Sequence, residues 1–235
     1  MTVLVRMKQG GSPLQVNFSD NFNRVNNNNL GSNWLRYLGG NDTVTLEAWG
    51  IATIVGNECF IQGQGENNPN AVLKTSWLPV PVLNSRFFNA PRVFAQATFR
   101  ALAGTIGASM CIRYNQSHEA GPTSTANGMD GYLATFGGAG GRMEKITNGG
   151  AVTTIGANTV VNVAGDVVRI EAENSGTSTI IRTFVNGGVA LNTVTELAAA
   201  FPIQRGWPGI VLWTVAGAPP SGSSLTLDNF SCGVF

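Results

Sequence analysis

The chain has 235 residues, 43% of them hydrophobic and only 11% charged, with a formal net charge of +1. That length fits one all-β domain with a core of ordinary size. A near-zero charge with no basic run excludes a surface built to collect nucleic acid or an anionic membrane.

Charged residues usually make up about a quarter of a soluble domain, so uncharged Asn, Ser and Thr must cover much of this surface. No stretch reaches the ~18 apolar residues of a transmembrane helix. The opening MTVLVRMKQGGSPLQVNF carries charge in its middle and no long apolar block, so it is not expected to act as a signal peptide. Residues 1–16 read as an arm, with an apolar start at Val3, Leu4 and Val5 and a flexible QGGSP hinge. Residues 17–235 read as the folded domain.

From there strand-like runs recur between Gly, Asn and Pro breaks: VTLEAWGIATIVG, ECFIQGQG, RVFAQATFRA, GASMCIRYN, GYLATFGG and RMEKITNGG. The segment NQSHEAGPTSTANGMD, residues 115–130, is too long for a plain turn, and such loops are commonly functional. GGAGGR at 137–142 invites a phosphate-cradle reading, but a cradle needs a following helix, and RMEKIT has the pattern of a strand. In DVVRIEAEN, Val168, Ile170 and Ala172 share one face, and Arg169, Glu171 and Glu173 the other. In STIIRTFVNGG, Ile181, Thr183 and Val185 are expected to point inward. Phe184 is left on the other face, where it can meet a second protein surface. Asn186-Gly187 supplies the positive φ of a tight hairpin. TELAAAF, residues 195–201, is the one helical candidate, ended by Pro202. GIVLWTV and SLTLDNFSCGVF close the series. The LDNFSCG of the last run echoes FSDNFNR near the start; pairing of the terminal strands would bring the two DNF segments together, and chance explains a three-residue echo equally well. Many short strands with turn signals every ~8–12 residues predict an all-β, two-sheet antiparallel jelly-roll sandwich with a short N-terminal arm.

The order of FSDNFNR…LGSNW, AWGIAT, CIRYN, GYLATF, RMEKITNGG, DVVRIEAE, IIRTFVNGG, RGWPGIVLW and LDNFSCG resembles concanavalin A-like, laminin G-like sandwich modules over residues 18–235. The resemblance implies two curved antiparallel sheets packed face to face. It implies no single function, because this fold hosts glycosidases, lectins, adhesion modules and virion parts.

A hydrolase of this fold would need two carboxylates flanking the scissile bond. Glu171 and Glu173 share a face, but no Asp accompanies them, and alternation with Arg169 fits a solvated strand face better. His118 lies in a polar loop beside Glu119, with no nucleophile elbow in the chain. Oxygen ligands for calcium could come from Asp130, Asp42 or the Asp20/Asp228 pair, but no spaced acidic loop occurs. Cys59, Cys111 and Cys232 are too few and too scattered for a disulfide framework, and read as buried thiols. Trp34, Trp49, Trp77, Trp207 and Trp213 could stack on sugar rings, but most fit the core better.

The expectation is therefore a non-enzymatic virion protein without cofactor or metal, made in the host cytoplasm. It would be a phage capsid decoration (cement) protein or a tail appendage. Its partners would be further copies of itself, with a trimer as the expected grouping, and a major capsid or tail protein. Val3, Leu4, Val5, His118, Asp130 and Phe184 are the candidate contact residues. The alternative is a carbohydrate-binding, lectin-like module at a cell surface or outside the cell, with a glycan as ligand; a glycoside hydrolase ranks third.

Overall fold

Alternation of apolar and polar residues sets the strands, and the turn residues between them set the pairing. A computed structural model describes residues 15–26, 35–38, 51–62, 73–77, 90–103, 107–116, 129–136, 141–147, 151–158, 163–200, 202–213 and 224–235. In chain order the strands are β1 (Gln15–Asp20), β2 (Leu35–Leu38), β3 (Ile51–Val55), β4 (Glu58–Gln62), β5 (Leu73–Trp77), β6 (Arg92–Ala103), β7 (Gly107–Gln116) and β8 (Met129–Phe136). They continue with β9 (Gly141–Thr147), β10 (Ala151–Asn158), β11 (Val167–Ser175), β12 (Ser178–Val185), β13 (Asn192–Glu196), β14 (Trp207–Trp213) and β15 (Ser224–Val234). Among the described residues the only helical element is a 3-10 turn at Ala198–Ala200. The turn foreseen from Thr195 starts later, because Thr195 and Glu196 finish β13.

The first sheet runs β13-β12-β11-β6-β15-β4-β3, with β1 also paired to β15; the second runs β10-β9-β8-β7-β14-β5-β2. Every pairing is antiparallel. The two sheets form a sandwich. Val168, Ile170 and Ala172 of β11 and Ile181 of β12 join Val93, Ala95, Phe99, Met110, Ile112, Tyr132, Phe136 and Phe230 in one core between them. Thr183 is buried beside Ile181 on the inward face of β12. Asn186 and Gly187 take φ of 52° and 64° at the hairpin, as that turn requires.

The echoed termini do meet. Asp20 of β1 is opposite Phe230 of β15. Phe22 and Phe230, the third residue of each DNF, are both fully buried in the core. Each motif turns through a left-handed residue, Phe22 at φ 53° and Asn229 at φ 50°. Two boundaries differ from the sequence reading. Gln15 and Val16 pair with Val234 and Gly233, so β1 takes in two residues assigned to the arm. Asn115–Asp130 and Gln116–Met129 are strand pairs, so the long loop is shorter at both ends than the pattern suggested.

Candidate functional site

The outer face of the first sheet carries the two glutamates. Glu173 receives Arg182 at 2.8 Å and Arg92 at 3.1 Å, one guanidinium on each carboxylate oxygen. Glu171 pairs with Arg169 at 3.1 Å and stands in register with Arg182. Both carboxylates are thus occupied by arginines, a poor arrangement for acid–base work on a substrate. The face is drier than a solvated strand should be: Glu171 is only 6% exposed, and burial pushes its carboxyl up against the pull of Arg169. The reason is lateral packing. Phe94 lies in register with Glu171 on the neighbouring strand and is likewise fully buried, outside the central core. Phe184 also has a partner within the chain, since the Arg169 guanidinium sits 4.3 Å from its ring centre.

Asp20 and Asp228, a candidate calcium pair, each hold an arginine instead. Arg24 grips Asp20 at 2.7 and 3.0 Å, and Arg100 reaches Asp228 at 2.7 Å. Among the described residues no group of three His, Cys, Asp or Glu side chains is placed to hold a metal ion.

Where the chain crosses from β13 to β14, polar groups enter the core. The Tyr132 hydroxyl donates to Glu196 Oε2 at 2.6 Å and accepts from the Ile203 N–H at 2.8 Å. Lys145 Nζ lies 2.9 Å from the same Glu196 oxygen and donates to the Ala200 carbonyl at 2.6 Å. Beside them Arg113 is fully buried and donates to Thr179 Oγ1 and to the carbonyls of Ile203 and Pro91. Burial pushes its guanidinium down to about 10. Arg113 lies at a bulge of β7 with φ 52°, the kind of irregularity that re-aims a side chain. This network clamps the crossover to both sheets.

The outer face of the second sheet has a different character. One register row runs Thr154, Glu144, Leu133, Cys111, Gly209, Trp77 and Leu35 across β10, β9, β8, β7, β14, β5 and β2. The next runs Arg142, Thr135, Ser109, Val211, Lys74 and Tyr37. Leu133 and Cys111 form a buried, uncharged floor that is not part of the central core. On it lies one acid, Glu144, whose side chain is 3% exposed and 3.5 Å from Arg142. Its Oε2 is buried with no hydrogen-bond partner. Burial pushes the Glu144 carboxyl up, with Arg142 opposing. Glu144 is thus an unsatisfied acceptor beside the Arg142 donor, next to Leu133 and Cys111, and all but Arg142 are covered within the chain.

Sequence reasoning missed Glu144, although RMEKI held a signal. Three charges in five strand residues put Arg142 and Glu144 on one face and Lys145 on the core side, which a plain hairpin strand does not need. Of the residues singled out from the sequence, Val3, Leu4, Val5 and His118 lie outside the described residues, as do Asp42, Trp34 and Trp49. Asp130 holds the register position opposite Asn115, well apart in sequence and strand order from Phe184 on the other sheet. Trp77, Trp207 and Trp213 belong to β5 and β14, but their side chains are outside the described set. Cys59, Cys111 and Cys232 are buried thiols, and burial pushes Cys59 and Cys232 up.

No family model matches the chain, and no curated protein matches it. Solved structures do. A protein with a galectin-like fold from Bacillus subtilis superposes with a TM-score of 0.56 at 8% identity, over 93% of this chain and 95% of that one. The CBM2 module of the evolved Dit of Lactobacillus casei BL23 phage J-1 gives 0.51 at 10% identity, over 92% and 93%. A pseudo beta-1,3-glucanase and immunostimulatory antigen of Mycobacterium tuberculosis gives 0.51 at 11% identity, over 94% and 99%. Likeness at this identity speaks for architecture alone, and it agrees with the sheet order and core: the chain folds as a concanavalin A-like, lectin-like β-sandwich.

Proposed function

We propose that the chain is a non-enzymatic recognition module of a phage virion, a decoration protein or tail appendage that binds a surface glycan on the outer face of its second sheet. The observation that carries this reading is Glu144. A buried acceptor left without a donor costs about 1–3 kcal/mol. A sugar hydroxyl that displaces the present cover of this oxygen is a donor that would complete it, with the part-exposed Arg142 placed to donate to a neighbouring oxygen. The absence of catalysis is supported by Glu171 and Glu173, which are committed to arginines, and by the lone position of Glu144 on its face among the described residues. The phage setting is supported by the likeness to a phage-borne CBM2 module over nearly the whole of both chains. Attachment to neighbouring subunits is assigned to the N-terminal arm with Val3, Leu4 and Val5.

A glycan array probed with the full chain and with Glu144→Gln tests the ligand. Binding of a defined glycan that the variant loses supports the reading, and equal binding by both removes Glu144 from it. Immunogold labelling of native particles tests the setting. The second reading, a shell protein without a ligand, is favoured if particles are labelled and no glycan is retained.

A further inference from the structure

The β13 edge of the first sheet has lost the devices that keep sheet edges apart. Native edges are blunted by charge, proline or a bulge. β13 pairs with β12 in unbroken register from Thr179–Glu196 to Thr183–Asn192, with no bulge and no proline. From Thr183 to Gln204 the one charged residue is Glu196, and it is turned inward to Tyr132 and Lys145. β10, the neighbouring edge of the second sheet, is by contrast broken by a bulge between Thr154 and Gly156. It meets β13 through the side chains of Asn192 and Val194; Asn192 Nδ2 donates to the Ala157 carbonyl at 2.9 Å. Thr193 and Thr195 point outward and are exposed. Apolar residues stand open at both ends of the strand: Val189 is 88% exposed before it, and Leu197 63% exposed after it, followed by exposed Ala198, Ala199 and Ala200.

We infer that this edge pairs with β13 of a second copy of the chain, antiparallel about a two-fold axis through Val194. The edge is complementary to itself in that register. Thr193 falls opposite Thr195 of the second copy, a favourable cross-strand pair, and the reverse pair forms by symmetry. The same register carries Val189 toward Ala199 of the second copy and Leu197 toward its Leu191, so the exposed apolar residues at the two ends cover one another. No charge opposes the approach. The crossover clamp of Tyr132, Lys145 and Glu196 fixes the Leu197–Ala200 knob from beneath, so little ordering is left to offset on association. This contact makes a two-fold dimer and is separate from any threefold grouping through the arm.

Sedimentation of the full chain over a concentration series tests it, with circular dichroism to show that each variant is folded. The wild type should show a two-fold association step. Thr193→Lys/Thr195→Lys sets like charges opposite one another and should weaken that step roughly tenfold or more. Thr193→Lys/Thr195→Glu sets opposite charges across the same axis and should retain it. The inference is overturned if the wild type shows no two-fold step up to about 0.1 mM, if the double-lysine variant associates as the wild type does, or if both variants lose the step equally.

Discussion

Two buried polar residues carry most of what is distinctive here, and they differ in kind. Tyr132 is satisfied on both sides, by Glu196 and by the Ile203 N–H. Tyr132→Phe leaves that N–H and one carboxylate contact unmade inside the core, so unfolding should become easier by about 1–3 kcal/mol, read by denaturant titration. Glu144 has a free oxygen and a carboxyl pushed up by burial, so it should behave the other way. A raised folded pKa means that protonation favours the folded state. This group's contribution is therefore complete below the unfolded carboxylate's range and is lost as pH rises through the raised value. Glu144→Gln should melt no lower than the wild type at pH 7, and the gain in melting temperature seen on acidification should shrink in the variant. A clear loss of stability at pH 7 would make Glu144 a structural residue. The sequence showed neither role. Its alternation placed Arg169, Glu171 and Glu173 on a common outer face correctly, but alternation says nothing about lateral packing, and so the burial of Glu171 beside Phe94 could not be read from it.

At the scale of elements, the strands were legible because their signals are local. The alternation in VVRIEAE and the Asn186-Gly187 turn each act within a few residues and have their expected place in the sandwich, whereas the two DNF segments meet only through the pairing of β1 with β15. What was not legible depends on which strands become neighbours. The row joining Glu144 to Leu133, Cys111 and Gly209 draws on residues up to 98 positions apart in the chain, and no pattern along the sequence announces it. The same holds for the meeting of β10 with β13. A Cβ on Gly156 would press on the Asn192 side chain and approach Val194 Cγ2 to 3.0 Å. Gly156→Ala should therefore cost about 1–3 kcal/mol. Asn192→Ser in the same chain should recover part of that cost, because the crowded atoms belong mainly to Asn192. A double-mutant cycle in thermal unfolding reads the coupling; strict additivity would show that the glycine is not needed for the close approach.

At the scale of the whole molecule, the proposed division into arm and sandwich makes a prediction about where the chain can be cut. β1 begins at Gln15 and pairs along the last residues of β15, so a truncation must stop short of it. If the proposed arm serves attachment alone, deleting residues 1–14 should leave a folded sandwich with unchanged circular dichroism that no longer binds the proposed virion; a truncated chain that unfolds would make the segment part of the core. Among the described residues no helix is long and apolar enough to cross a membrane. The central claim is recognition of a glycan without turnover by the Arg142–Glu144 face. The most direct measurement is titration calorimetry of the full chain against the best glycan from an array, with the products in the cell followed by mass spectrometry. Saturable binding with the glycan intact, weakened roughly tenfold or more by Glu144→Gln, is the expected result. A glycan that is cleaved, or one bound equally well by the variant, would contradict it.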